Sequence, residues 1–261
     1  MSRIQTTFQK LKKENKKALI TYITCGDPNL DTTIELVLSM EKSGADIIEL
    51  GIPYSDPLAD GPVIQRASQR ALSSETNIDA ILEAVIQLRE KTDIPLAFLL
   101  YYNSMFAYGI EKFLNHFKGL IDGLIIPDLP LEERSELKEL MNDYSMDLIP
   151  LVAPTSKNRI QQVVQDASGF VYCVSSLGVT GKRAGFDPNI KAFIDGVKKY
   201  TSTPLAIGFG ISNEEDIKSL KHLSDGLIVG SAIIQRIEDN IENGTVIDAV
   251  SDFTKQLKSA L

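Results

Sequence analysis

Short apolar segments alternate with longer amphipathic segments along the whole chain. The apolar segments are nearly continuous in isoleucine, leucine and valine, which is typical of parallel strands covered on both faces. The longer segments repeat apolar residues at helical spacing, as in Ile78, Ile81, Leu82, Val85 and Leu88. Repeated alternation of strand and helix predicts a parallel sheet with helical crossovers. The eight predicted strands are Ala18–Thr24, Asp46–Gly51, Pro95–Tyr101, Gly123–Pro127, Asp147–Val152, Gly169–Ser175, Pro204–Gly208 and Asp225–Gly230.

Two architectures fit this alternation: a closed barrel and an open doubly wound sheet. Eight strand–helix units in 261 residues match the usual size of a (β/α)8 barrel. A glycine-rich dinucleotide fingerprint does not follow the first strand, where the chain continues with Cys25-Gly-Asp-Pro28, and this disfavours the open sheet. We therefore predict one (β/α)8 TIM-barrel domain over residues 1–261. It has an extra N-terminal helix, Thr6–Asn15, and a short extra helix after the eighth strand.

Composition and charge narrow the class of partner. With a net charge of −8, the chain cannot displace the counterions of nucleic-acid phosphates, and an anionic membrane surface repels it. We therefore expect neither nucleic acid nor a membrane as a partner. No apolar run approaches the ~18 residues of a membrane span, and the N-terminus lacks a signal core, which predicts a cytoplasmic protein. Two cysteines make no disulfide framework. Clustered His/Cys spacing is absent, so we expect no bound metal.

Glu49 lies near the carboxyl end of the second predicted strand, where barrel enzymes place their active sites. Side chains alternate along a strand, so Ile48 and Leu50 suit the helix-covered outside while Glu49 points into the barrel. A buried salt bridge is one explanation for such a residue, yet none of the predicted strands contains lysine or arginine. An unpaired buried carboxyl has a raised pKa and suits proton transfer, so we predict that Glu49 is a general acid and base.

The loop after this strand, Gly51–Pro62, is rich in turn residues and carries two further acids. Asp60 suits a catalytic role, but it equally suits an acid near the N-terminus of a helix that begins at Pro62. Asp56 stands in a Ser-Asp-Pro sequence, where an aspartate commonly forms a turn, so its role can be purely structural. Spacing alone leaves these alternatives open.

Three glycine-rich stretches follow the last three predicted strands, at residues 176–181, 208–212 and 230–232. Each glycine could simply turn the chain. In barrels, however, the loops after strands seven and eight often bind phosphate together with a short extra helix. Glycine lets backbone N–H groups approach an anion closely, and a helix N-terminus favours negative charge. Three such stretches at one end of the barrel predict a phosphate site.

The block Ile48-Glu-Leu-Gly-Ile-Pro-Tyr-Ser-Asp-Pro-Leu-Ala-Asp-Gly61 resembles the signature of the tryptophan synthase alpha chain family over its whole length. Shorter motifs are similar to the family's others, in the same order. They are Cys25-Gly-Asp-Pro28, Tyr101-Tyr-Asn103, Pro127-Asp-Leu-Pro130, Gly178-Val-Thr-Gly181, Gly208-Phe-Gly-Ile211 and Val229-Gly-Ser-Ala232. The resemblance covers nearly the full chain. The fourteen-residue block is highly specific, whereas the glycine dipeptides are not.

This resemblance implies a lyase of tryptophan biosynthesis that cleaves indole-3-glycerol phosphate to indole and glyceraldehyde 3-phosphate by a retro-aldol step. Glu49 is then the general acid and base, Asp60 binds the indole N–H, and Tyr172 hydrogen-bonds near Glu49. Ser176–Asp187 is implied to form a mobile lid. The implied substrate-binding residues are Tyr22, Leu99, Tyr101 and Ile125 around the indole, and Thr180, Gly181, Phe209, Gly210, Gly230 and Ser231 around the phosphate.

The resemblance also implies a partner. Pro53, Asp56 and Asn103 would face a beta subunit in an alpha2-beta2 complex, and that subunit would carry pyridoxal phosphate, so this chain needs no cofactor of its own. Two positions depart from the family, which often has Phe where Tyr22 stands and Arg where Ser176 stands. Two alternatives to a lyase that works within this complex stay open. The chain is a stand-alone lyase, or it is mainly an allosteric subunit that activates its partner. A sugar-phosphate isomerase is disfavoured because no Lys or His stands at a strand end beside the acid.

Overall fold

The computed structural model describes residues 1–156, 158–174, 189–208 and 210–261. In this part of the chain nine parallel strands form one sheet, in the order β5-β4-β3-β2-β1-β9-β8-β7-β6. The strands are β1 Ala18–Thr24, β2 Ile47–Gly51, β3 Leu96–Leu99, β4 Gly123–Ile125, β5 Asp147–Ile149, β6 Leu151–Val152, β7 Val171–Val174, β8 Leu205–Gly208 and β9 Gly226–Val229.

The two ends of this sheet are joined, because β5 and β6 follow each other directly in the chain. β5 pairs with β4 on one side, and β6 pairs with β7 on the other. The sheet therefore closes, and the structure confirms the predicted (β/α)8 barrel. The fifth predicted strand is divided at Pro150, which has no backbone N–H to give to a neighbouring strand. Its carbonyl still accepts a hydrogen bond from the Tyr172 N–H at 2.9 Å.

Helices cover the outside of the barrel. In the described residues they are α1 Arg3–Lys13, α2 Leu30–Lys42, α3 Pro62–Ser73, α4 Ile78–Arg89, α5 Tyr102–Tyr108, α6 Ile110–Phe117, α7 Arg134–Met141, α8 Ile160–Val164, α9 Ile190–Lys198, α10 Glu214–Leu220, α11 Ser231–Asn240 and α12 Val246–Ala260. The predicted helix after the last strand is α11, ten residues long. Within the described chain, no helix has the length and apolarity needed to cross a lipid bilayer.

The extra N-terminal helix, α1, starts at Arg3 rather than at the predicted Thr6. Ser2 caps it, because the Ser2 hydroxyl accepts a hydrogen bond from the Gln5 N–H at 3.2 Å. The buried face of α1 carries Ile4, Phe8 and Leu11, which join the apolar cluster inside the barrel. The Phe8 ring lies 5.8 Å from the ring of Phe170. α1 therefore closes the amino-terminal end of the barrel.

A buried ion pair ties α4 to the strand starts at that same end. The Arg89 side chain is 9% exposed and its guanidinium lies 3.1 Å from the carboxylate of Asp122, which is 4% exposed. Arg89 also donates to the carbonyls of Leu120 and Ile94, each at 2.7 Å. Asp122 in turn accepts from the Leu96 N–H at 3.0 Å. One cation thus connects the end of α4 with the starts of β3 and β4.

We expect Arg89→Met to lower the free energy of unfolding by about 2–4 kcal/mol, since the Leu120 and Ile94 carbonyls lose their donor and the buried Asp122 carboxylate keeps only one of its two arginine partners, Arg3. Urea denaturation would measure the loss. Arg159→Met is the matched control, because Arg159 and its partner Glu132 are both at least half exposed. The control should lose less than about 1 kcal/mol. Equal losses in the two variants would show that the Arg89 network adds nothing.

Candidate functional site at the carboxyl end of the barrel

Glu49 lies inside the barrel, as the strand alternation predicted. Its neighbour two residues earlier, Ile47, belongs to the apolar cluster of the barrel interior, whereas Ile48 and Leu50 belong to the layer under the helices. Glu49 has no exposed surface, and across the sheet it aligns with Tyr22 on β1. Neither carboxyl oxygen has a hydrogen-bond partner among the described residues. The structure thus holds a buried acid whose charge those residues leave unpaired.

Burial has a direct consequence for the protonation of Glu49. Because an apolar interior disfavours the charged form, burial raises the pKa of this carboxyl from its usual 4.5 to about 8. Glu49 is therefore mostly protonated at neutral pH, yet it titrates close enough to neutrality to give up and recover a proton. General acid–base catalysis works best with a group in this range.

Two tyrosines, Tyr22 and Tyr172, line the cavity with Glu49, and each lies over a glycine. A Cβ added at Gly51 would lie 2.2 Å from the Tyr22 hydroxyl, and one added at Gly208 would lie 2.5 Å from the Tyr172 hydroxyl. Only glycine at these two positions leaves room for the rings. Burial raises the pKa of both tyrosines well above the usual value, so both hydroxyls stay protonated and remain able to donate.

Asp60 is held at the cavity by Tyr101. The Tyr101 hydroxyl donates to the Asp60 carboxylate at 3.2 Å and accepts from the Ala59 N–H at 2.9 Å. The Tyr101 ring stacks on Tyr54 with 5.0 Å between ring centres. Burial raises the pKa of Asp60 to about 6, while the Tyr101 hydrogen bond works in the opposite direction. Asp60 is consequently ionised at neutral pH, in contrast to Glu49.

A cavity of about 730 Å³ connects the two carboxyls with the glycine-rich loops. Gly210 lines it with a φ of 79°, a conformation that favours glycine. At the same end Gly230 and Ser231 lead into α11, and no side chain of the described residues caps this helix. The Ile233 and Ile234 N–H groups already bond to the Gly230 carbonyl, whereas the N–H groups of Ser231 and Ala232 precede the hydrogen bonds of the helix. Both of these residues line the cavity, which suits an anion such as phosphate.

The structure brings most of the predicted site residues together. Those that line the cavity are Tyr22, Glu49, Asp60, Leu99, Tyr172, Gly210, Gly230 and Ser231. Tyr101 instead supports Asp60 from behind, and Ile125 lies in the interior apolar cluster, aligned with Leu99 in the sheet. Thr180, Gly181, Phe209 and the predicted lid Ser176–Asp187 lie outside the described residues.

The residues predicted to face a partner do not all reach the surface. Asp56 and Asn103 are exposed, but Pro53, two residues after the end of β2, is buried. Two large apolar side chains near them are strongly exposed: Leu58 at 92% and Phe106 at 64%. Exposed apolar side chains of this size, rimmed by polar residues, are typical of interaction surfaces.

Several cavity residues escaped the sequence analysis. Ile228 on β9 points inward by the same alternation that placed Glu49, so the strand pattern could have found it. Arg236 on α11 and Phe253 on α12 also line the cavity. They come from the helices that follow the last strand, and only the packing of α12 against α11 brings them there. No local pattern in the sequence signals them.

Comparisons with known proteins agree on one family. The family model described as tryptophan synthase alpha chain matches residues 8–261. A tryptophan synthase alpha chain of Alkaliphilus metalliredigens is 61% identical, covering 98% of this chain and 97% of its own. That of Caldanaerobacter subterraneus is 54% identical over the full length of both chains. The crystal structure of tryptophan synthase subunit alpha from Legionella pneumophila has a TM-score of 0.91 at 36% identity, covering 100% of this chain and 98% of its own.

Proposed function

The chain belongs to the tryptophan synthase alpha chain family, and we propose that it cleaves indole-3-glycerol phosphate to indole and glyceraldehyde 3-phosphate. The observation that carries this proposal is Glu49, a buried carboxyl unpaired among the described residues, in one cavity with Asp60 and the uncapped start of α11. The cavity thus contains a protonated acid, Glu49, a carboxylate, Asp60, and a helix start that can bind an anion. A phosphorylated substrate with an apolar, weakly basic head matches those three features.

The chemistry balances with Glu49 as the only proton carrier. Protonated Glu49 gives its proton to C3 of the indole ring, and the ring becomes a cationic indolenine. The Glu49 carboxylate then takes the proton from the glycerol hydroxyl beside the ring. The O–H electron pair forms the aldehyde, the carbon–carbon bond breaks, and its electrons neutralise the ring nitrogen. Glu49 ends protonated, as it began.

Asp60 stabilises the cationic intermediate in this scheme. Its carboxylate accepts a hydrogen bond from the indole N–H and compensates the positive charge that develops on the ring. A fixed anion is effective here because Asp60 is half-buried, so water screens its charge less than it would a surface charge. Tyr101 keeps that carboxylate in place through the hydrogen bond at 3.2 Å. Tyr172 lines the same cavity as Glu49 and supplies a hydroxyl that stays protonated.

A product assay tests this proposal directly. The chain would be incubated with indole-3-glycerol phosphate, and both indole and glyceraldehyde 3-phosphate would be quantified. We expect the two products to appear in equal amounts without added metal or cofactor. Release of indole without the aldehyde, or of neither product, would rule the retro-aldol reaction out.

The opposite protonation states of the two carboxyls predict a bell-shaped pH profile. The pKa of Asp60 is about 6 and that of Glu49 about 8. The value of kcat/KM should therefore rise as Asp60 ionises near pH 6 and fall as Glu49 loses its proton near pH 8. Initial rates from pH 5 to 10 would measure both limbs. In Asp60→Asn the residual activity should lose the acidic limb and keep the basic one, and persistence of both limbs would contradict the assignment.

We also propose a beta subunit as partner, in an alpha2-beta2 complex whose pyridoxal phosphate belongs to the beta subunit. The surface around Leu58, Phe106, Asp56 and Asn103 supports this, because it exposes large apolar side chains beside the cavity loop. Size-exclusion chromatography with a beta subunit would test the association. A chain that elutes alone and cleaves substrate at full rate would instead be a stand-alone lyase.

A further inference from the structure

One cationic side chain lines the cavity among the described residues, and the proposed reaction does not yet use it. This residue is Arg236, the sixth residue of α11, whose side chain is exposed. Its guanidinium carbon lies 5.0 Å from the ring centre of Phe253, which lines the same cavity. No carboxylate of the described residues lies within ion-pair distance of this guanidinium. Arg236 thus keeps its positive charge available while an aromatic ring holds it in place.

Helix geometry directs this side chain toward the anion-binding end. Arg236 follows Ala232 by four residues, so both lie on one face of α11, and Ala232 lines the cavity beside Gly230 and Ser231. Side chains on a helix tilt toward its N-terminus. This tilt directs the Arg236 side chain back along the helix toward its first turn, where Ser231 and Ala232 line the cavity. One turn of rise, roughly 5.4 Å, separates the two positions.

The charge of the cavity shows why an arginine matters there. The carboxyls of Asp60 and Asp239 line it, and the whole chain carries a net charge of −8. A phosphate dianion that approaches this mouth is repelled by the surrounding field. The N–H groups of a helix start supply only partial positive charge. A guanidinium adds a full charge and a planar fork of donors that fits phosphate oxygens.

We infer that Arg236 binds the phosphate group of the substrate from the outer side of the α11 start, with Phe253 as the platform that holds its guanidinium. The inference rests on the proposed function and adds the residue that selects phosphorylated over unphosphorylated substrate. Arg236 touches the end of the substrate that does not react. It therefore contributes to substrate binding, and the proton transfers at Glu49 do not depend on it.

Calorimetric titration with glycerol 3-phosphate tests this inference on the intact chain. We expect Arg236→Gln to raise the Kd about tenfold, because a charge-assisted contact is lost. Arg236→Lys should recover part of the affinity, since it keeps the charge but not the fork. The affinity of the native chain should fall with added salt more steeply than that of Arg236→Gln. With inorganic phosphate as the ligand, the ratio of the Kd of Arg236→Gln to that of the native chain should be the same. The phosphate is the only group that the two ligands share.

Lys255→Gln is the matched control. It removes one positive charge from α12, the helix that carries Phe253, and Lys255 is exposed and does not line the cavity. Its Kd should stay within about twofold of the native value, as expected for a screened surface charge. If Arg236→Gln binds glycerol 3-phosphate as Lys255→Gln does, the inference is overturned.

Steady-state kinetics separate this inference from the reaction itself. With indole-3-glycerol phosphate, Arg236→Gln should raise KM about tenfold and change kcat less than about twofold, as expected for lost uniform binding. A native chain that cleaves nothing would refute the proposed function whatever Arg236 does. A native chain that cleaves, together with an Arg236→Gln variant of unchanged KM, would refute the role of Arg236 alone.

Discussion

Glu49→Gln is expected to bind indole-3-glycerol phosphate and to cleave it about 10³- to 10⁴-fold more slowly than the native chain. Glutamine keeps the size of the side chain but can neither give a proton to the ring nor take one from the hydroxyl. Stopped-time indole release would measure the rate, and calorimetry with glycerol 3-phosphate would show that the cavity is intact. Glu139→Gln on the exposed face of α7 is the control and should keep full activity. Near-native turnover by Glu49→Gln would refute the proposed role.

The same substitution has a second expected effect, on stability. In the folded chain burial raises the pKa of Glu49 from its usual 4.5 to about 8, so the folded state keeps a proton that the unfolded state loses between these values. The free energy of unfolding of the native chain should therefore fall as the pH rises from about 4.5 to about 8. Glu49→Gln lacks this titrating group, so its free energy of unfolding should fall less over the same pH range. Urea denaturation at pH 5 and pH 8, compared between the two proteins, measures the difference.

Asp60→Asn is expected to lower kcat by about 10²- to 10³-fold, the cost typical of removing one preorganised electrostatic group from a transition state. A neutral amide cannot compensate the charge of the indolenine. Tyr101→Phe should lower kcat about tenfold, because the Asp60 carboxylate then lacks the hydroxyl that orients it. Steady-state rates at pH 7 would measure both.

Asp93→Asn provides the control for Asp60. The Asp93 side chain is 94% exposed and precedes β3 at the opposite end of the barrel. It should leave kcat unchanged. If Asp60→Asn behaves like Asp93→Asn, then Asp60 serves only as an acid beside the start of α3, which was the alternative that its spacing left open.

Strand periodicity predicted the barrel well because each strand is covered on both faces, which makes its sequence continuously apolar. It could not predict the break at Pro150, since apolar residues stand on both sides of it and the division follows from one missing N–H. The start of α1 was missed for a related reason. The cap on Ser2 begins that helix three residues earlier than its apolar pattern suggested.

The candidate site was predictable as far as its residues follow local rules. Alternation placed Glu49 inside the barrel, and Ile228 obeys the same rule. The role of Asp60 could not be predicted from local spacing, because its position depends on a hydrogen bond from Tyr101, which lies 41 residues further along the chain. Arg236 and Phe253 reach the cavity only through the packing of two helices, which no single segment encodes.

The helix that closes the amino-terminal end of the barrel imposes an order on assembly. α1 precedes every strand in the chain, yet its apolar face belongs to an interior cluster whose residues come from strands β1 to β9, including Ile149 on β5 and Ile228 on β9. We therefore expect α1 to complete its packing only after β9, the last strand, has been synthesised. α1 packs at the amino-terminal end of the barrel and the cavity that Glu49 lines lies at the carboxyl end, so a substrate reaches that carboxyl from the side of the loops that follow the strands.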